Sequence, residues 1–160
     1  MILGMTLLTF IHVLLSLIGI VAGLVVLSGL LNNRRMDGWT ALFLATTIAA
    51  NATGIGFGFG PTPALNLAYI SLVVLAVAVI ARYGLRLRGL WRVVYVIGAV
   101  AALYFNVFVL VVQAFAKIDT LRALAPTRTT EIPYVIVQGV VLVAFLVAGF
   151  LAVRRFRPAA

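Results

Sequence analysis

The chain is predicted to be an all-α, polytopic membrane protein in which five transmembrane helices form one bundle. Hydrophobic residues make up 65% of its 160 residues and charged residues only 9%, whereas about a quarter of the residues of a soluble domain are charged. The mean hydropathy is +1.26, and the apolar residues fall in five stretches of about 20 residues, the length of a membrane-crossing helix. No Ser/Pro-rich or acidic linker divides the chain, so residues 1–160 are expected to form a single domain.

Basic residues set the limits of these stretches. An arginine in the middle of a bilayer costs about 2.5–3.5 kcal/mol on insertion scales, so a four-span alternative that merges two stretches and places Arg34–Arg35 or Arg82–Arg92 in hydrocarbon is disfavoured. The four basic groups are Arg34 and Arg35; Arg82, Arg86, Arg88 and Arg92; Lys117, Arg122 and Arg128; and Arg154, Arg155 and Arg157.

The first two spans are expected at residues 5–31 and 39–57. The first lacks the positive n-region of a signal peptide and is far longer than the roughly 7–15 apolar residues of one, so it is expected to be retained. The second begins at Trp39, a suitable interfacial anchor. It ends in a segment of alternating glycines closed by Pro61, which cannot sustain a helix.

The remaining spans are expected at residues 65–83, 93–116 and 134–153. A basic loop, residues 84–92, separates the third span from the fourth. Residues 117–133 form the longest connection and carry both charge signs. The fourth span is long enough to tilt or to extend a turn beyond the lipid.

The distribution of charge predicts the orientation. The first and third loops and the C-terminus carry nine basic residues and one acid, Asp37, whereas the other side carries three basic residues with Asp119 and Glu131. The positive-inside rule therefore places the N-terminus outside and the C-terminus in the cytoplasm. Eleven of the twelve basic residues are arginine, a composition typical of a GC-rich bacterial genome. The net charge of +9 comes from these short groups, so anionic lipid headgroups are the expected partners rather than nucleic acid.

Several classes of function are disfavoured by missing residue types. No Asp, Glu, Lys or Arg lies in the middle of a span, although proton-coupled carriers and pumps usually need one there. The chain has no cysteine and no hydrolase motif such as GxSxG or HExxH. The sequence therefore favours a protein that is not an enzyme.

Polar residues lie at similar depths in all five spans, about 8–15 Å below the outer surface at 1.5 Å per residue. One interpretation is interhelical hydrogen bonding, worth about 0.6 kcal/mol per bond on average in membranes. The other is an outward-opening pocket for a small ligand, a lipid headgroup or water. The candidate residues are His12, Asn51, Ser71, Asn106, Gln113 and Gln138.

His12 is the only histidine. It is expected to be a hydrogen-bonded structural residue, and contact with a quinone or haem is the alternative. A zinc or copper site would lack its usual ligands, so no metal or cofactor is predicted.

Two pairs of small residues, Gly19/Gly23 and Ala144/Ala148, are spaced to allow close helix packing. The leading hypothesis is therefore a structural or accessory subunit that packs in a homo-oligomer or a larger membrane complex. The alternatives are a small-molecule or lipid binding or transport protein that uses the polar cluster, and a redox subunit that contacts quinone or haem through His12.

Three segments carry a resemblance to known proteins: residues 104–113, 124–127 and 153–158. They resemble small, uncharacterised integral membrane proteins of proteobacteria. The resemblance implies an inner-membrane location. It implies no activity and no functional residue.

Overall fold

A computed structural model describes residues 6–57, 63–127 and 131–157. All regular elements in these ranges are helical, which confirms the predicted all-α class. Arg128 and the glycine-rich segment from Gly58 to Pro61 lie outside the described residues. The helices are α1 (Leu7–Leu31), α2 (Asp37–Ile55), α3 (Pro63–Val79, continued by a π-helical turn, Ile80–Gly84), α4 (Trp91–Lys117), α5 (Asp119–Leu124) and α6 (Ile132–Arg155).

Four of the described helices are long and apolar enough to cross a membrane: α1, α3 with its π-helical turn, α4 and α6. The second predicted span is also helical, as α2, but it is the least apolar of the long helices. Asp37, Asn51 and four threonines lower its hydropathy. Three of those threonines are buried in the bundle: Thr40, Thr46 and Thr47.

Helix α4 lies at the centre of the bundle, where it packs against α1, α3 and α6, and α2 lies between α1 and α3. The core therefore draws heavily on α4, whose Tyr95, Val96 and Ala102 are fully buried beside Leu75 of α3. Helix α6 is peripheral, because only Tyr134 and Ala152 are buried among its residues.

The glycine pair of α1 is buried inside this chain. A Cβ atom at Gly23 would lie 2.5 Å from Cδ1 of Leu103 and 2.9 Å from the ring of Phe43. At Gly19 it would lie 3.0 Å from Oγ1 of Thr47. Both glycines therefore allow α1 to approach α2 and α4. In the second pair, on α6, Ala144 is exposed and Ala148 is partly exposed.

Arg82 has a structural role that its place among the boundary arginines did not suggest. Its side chain is 2% exposed and forms an ion pair with Asp37. Nη2 also donates to the carbonyl oxygen of Arg35 at 3.1 Å, and the guanidinium lies 5.0 Å from the centre of the Tyr95 ring. The π-helical turn after α3 is thus joined to the start of α2 and to α4.

Arg92 joins the start of α4 to the end of α6. Its Nη1 donates to the carbonyl oxygens of Val153, at 2.8 Å, and Phe156. These carbonyls belong to the last turn of α6 and its C-cap, where a cation also complements the negative end of the helix dipole. The backbone N–H of Arg157 donates to Oδ1 of Asn33 at 2.7 Å, so the chain after α6 is attached to the loop between α1 and α2.

Candidate functional site

A cavity of about 540 Å³ lies between α1, α2, α3 and α4. Its volume falls within the range of about 300–1,000 Å³ that is common for small-molecule sites. The lining residues extend from Thr9 to Ile20 on α1 and from Phe105 to Lys117 on α4. At 1.5 Å per helical residue the cavity is therefore about 17 Å long, and it runs along the helices rather than across them.

The wall of this cavity is mainly apolar, with polar side chains on all four helices. Lys117, in the last turn of α4, is the one charged side chain among the described residues that line it. The polar lining residues are Thr9, His12 and Ser16 of α1, Asn51 of α2, Ser71 of α3, and Asn106 and Gln113 of α4.

The structure brings five of the six candidate polar residues to this wall and leaves one away from it. The five are His12, Asn51, Ser71, Asn106 and Gln113. Gln138 lies on α6, where its Nε2 donates to the carbonyl oxygen of Phe108 and to the hydroxyl of Tyr134, each at 3.2 Å. Similar depth in the membrane did not reveal this difference, because it depends on the rotation of α6 about its own axis.

His12 crosses from α1 to the backbone of α2. Its Nδ1 lies 3.0 Å from the carbonyl oxygen of Ala50 and 3.0 Å from Oγ1 of Thr53. The Thr53 hydroxyl in turn lies 2.9 Å from the carbonyl oxygens of Ala49 and Ala50, to which it donates. The ring of Phe57 meets the imidazole edge to face, with the ring centres 5.2 Å apart. The imidazole is thus fixed in orientation at one ring edge.

Gly54 makes room for the imidazole. A Cβ atom there would lie 3.3 Å from Cε1 of His12, closer than most Cβ contacts. The sequence predicts only that Gly54 lies near the end of α2, so its role in making room for His12 was not predicted. The i to i+4 relation between Ala50 and Gly54 was the available signal, because it places both on one face of α2.

Asn51, Ser71 and Asn106 connect the other three helices. Nδ2 of Asn51 donates to the carbonyl oxygen of Thr47 at 2.8 Å and to Oγ of Ser71 at 3.2 Å. Nδ2 of Asn106 donates to Oγ1 of Thr47 at 3.2 Å. Ser71 is buried. The cavity wall therefore contains side-chain hydrogen bonds between α2 and α3 and between α2 and α4.

In the described part of the chain, no three His, Cys, Asp or Glu side chains come together as a group that could hold a metal ion. Its chemistry is that of hydrogen bonding inside an apolar slot. No protein-family model, curated protein or solved structure matches the chain.

Proposed function

We propose that this chain is a five-span bacterial inner-membrane protein that binds a small, mainly apolar molecule with a polar group in the cavity between α1, α2, α3 and α4. One observation carries the proposal: polar residues from all four helices, among them five of the six predicted candidates, lie on the wall of one 540 Å³ cavity. This favours the binding alternative over a role in packing alone, because hydrogen bonding between helices does not need an open space at the polar layer.

The proposal of five spans rests on α2. Its polar side chains are directed inward, with Thr40 and Thr47 fully buried, as expected for polar residues at membrane depth. The charge asymmetry of the loops supports an outside N-terminus and a cytoplasmic C-terminus. Single cysteines test this topology, because the chain has no cysteine of its own. In intact spheroplasts, a membrane-impermeant maleimide should label Thr120→Cys and leave Arg88→Cys unlabelled; the opposite result, or labelling of both, would contradict the topology.

The proposed binding is tested by filling the cavity. Ala114 lies on its wall, and Ala114→Phe would place a ring in the space that a ligand needs. Ala144→Phe, on the exposed side of α6, is the matched control. The probe is 4-hexylphenol. At a free concentration about one hundred times its dissociation constant, a ligand stabilises the folded protein by about 2.7 kcal/mol.

The expected result is a rise in the thermal midpoint with the probe for the wild type and Ala144→Phe, and no rise for Ala114→Phe. Native mass spectrometry should show one probe bound per chain in the first two proteins. Equal probe binding by all three proteins would place the bound molecule elsewhere and refute the proposal. Ala68→Phe fills the same cavity from α3 and replaces Ala114→Phe if that variant does not fold.

A second candidate function, an accessory subunit in a homo-oligomer or larger complex, is favoured by the exposure of α6. Only two of its described residues, Tyr134 and Ala152, are buried. The glycine pair expected to serve such contacts is occupied inside the chain, so α6 with Ala144 is the proposed contact surface. Native mass spectrometry in mild detergent tests this function, and a monomer without a co-purifying protein would count against it.

A further inference from the structure

We infer that the cavity selects molecules with a hydroxyl group, whose O–H donates to Nε2 of His12 or Oδ1 of Asn51. This inference rests on the proposed binding function and adds the chemical class of the ligand: an uncharged alcohol or phenol with an apolar body. Two acceptors on neighbouring helices carry it, and in each case a backbone carbonyl oxygen fixes which atom is the acceptor.

The tautomer of His12 follows from the partners of Nδ1. A carbonyl oxygen can only accept, so the 3.0 Å contact with the oxygen of Ala50 requires a proton on Nδ1. The Thr53 hydroxyl directs its own proton to the carbonyl oxygens of α2 and accepts from Nδ1 as well. A neutral imidazole with Nδ1–H has an unshared pair on Nε2. His12 lines the cavity with its Nδ1 turned to α2, so Nε2 is the ring nitrogen available to a ligand.

The amide of Asn51 is oriented in the same way. Its contact of 2.8 Å with the carbonyl oxygen of Thr47 requires the NH₂ group on that side. The second contact, with Oγ of Ser71, also uses Nδ2. Both amide protons are then committed, and Oδ1 is left as an acceptor on a residue that lines the cavity.

The charge of the wall restricts the donor to an uncharged group. Lys117 is the charged residue of the described lining, and no carboxylate lies there to balance an ammonium ligand. A hydroxyl brings a donor without charge. A molecule of the same shape with an ether in place of the hydroxyl cannot donate to these half-buried acceptors, so it loses the stabilisation of that hydrogen bond.

A matched pair of probes tests the inference: 4-hexylphenol, which has a hydroxyl donor, and 4-hexylanisole, in which a methyl group replaces that proton. Binding is measured for the full chain in nanodiscs by native mass spectrometry and by the thermal midpoint. The phenol is expected to bind about tenfold more tightly, the effect of one net hydrogen bond to a half-buried acceptor.

Two variants test which acceptor atom is responsible for the preference for the phenol. His12→Asn keeps an N–H near the position of Nδ1 and removes the Nε2 acceptor. Asn51→Leu removes Oδ1 with little change in volume. The variant that lacks the acceptor used by the hydroxyl is expected to reduce the preference for the phenol to below about threefold while anisole binding stays close to wild type. Circular dichroism and gel filtration identify a variant that has lost its fold, in which case the other variant decides.

The outcomes separate this inference from the proposed function. If phenol and anisole bind equally and Ala114→Phe abolishes both, the cavity binds ligands and the hydroxyl preference is wrong. The preference is also wrong if it persists unchanged in both folded variants. If neither probe binds the wild type, the proposed binding function fails and the inference fails with it.

Discussion

Replacing Gly23 by alanine would test how tightly α1 packs against its neighbours. The added Cβ would lie 2.5 Å from Cδ1 of Leu103 and 2.9 Å from two ring atoms of Phe43. Both side chains are 1% exposed, so neither has open space to move into. The contact lies where α1 meets α2 and α4, and relief would require these helices to separate locally.

The expected magnitude follows from two opposing terms. Overpacking a tight core by one methyl group costs about 1–3 kcal/mol. In water, the higher helix propensity of alanine would return up to about 1 kcal/mol. In a membrane or in detergent the separated helices keep their backbone hydrogen bonds, so this second term is small. Gly23→Ala should therefore lower the free energy of unfolding by about 1–3 kcal/mol.

Unfolding by titration with SDS, followed by circular dichroism and by separation of a labelled helix pair, would measure this change. Gly139→Ala on α6 is the control, because a Cβ atom there meets nothing within 4 Å. It should leave stability within about 0.5 kcal/mol of the wild type. Equal effects of the two substitutions would refute the assignment of Gly23 to a close contact between helices.

Two further predictions concern polar side chains at opposite ends of the bundle. Arg82→Gln should lower the free energy of unfolding by about 1.5–3 kcal/mol, because the charged hydrogen bonds to Asp37 and the neighbouring backbone are lost. In the same SDS titration the control Arg88→Gln, at an exposed position, should change it by less than about 0.5 kcal/mol. Similar losses in the two variants would show that burial of Arg82 does not matter. Gln138→Leu should leave stability within about 0.5 kcal/mol of the wild type, because its hydrogen bonds are of average membrane strength and its Oε1 is buried without a partner. The same variant should leave binding of 4-hexylphenol unchanged, whereas Asn51→Leu, which removes a proposed acceptor on the cavity wall, should weaken it; equal binding by the two variants in native mass spectrometry would contradict this difference.

The helices were predictable because length, hydropathy and charge act locally. The predicted starts and ends of the five long helices lie within about two residues of those observed, since arginines, glycines and prolines end apolar runs for reasons that depend on the nearest residues. Arg82 shows the limit of this local information. The sequence places it at a membrane boundary, but its burial depends on Asp37, 45 positions away in the chain.

Residue counting grouped the candidate residues but did not give the direction in which each side chain faces. Counting residues placed six polar groups at one level, and five of them line the cavity. Gln138 shares their depth, but α6 packs on the side of α4 that does not form the cavity. Helix rotation decides this outcome, and the uniformly apolar surface of α6 gives little periodic signal from which rotation can be read.

The hydrogen bonds of α2 indicate why its polar residues favour binding over packing. Thr46, Asn51 and Thr53 each donate to a carbonyl oxygen of α2 itself, which lowers the cost of carrying them into a membrane. If this polar layer served only to hold the helices together, its remaining acceptor atoms would also accept hydrogen bonds from neighbouring helices, since bonds between helices stabilise their association. Instead, the donors of His12 and Asn51 are committed, and each residue retains an acceptor at a cavity of 540 Å³. This combination stabilises the bundle less than a closed network would, and it is the arrangement that a ligand with a hydroxyl group completes.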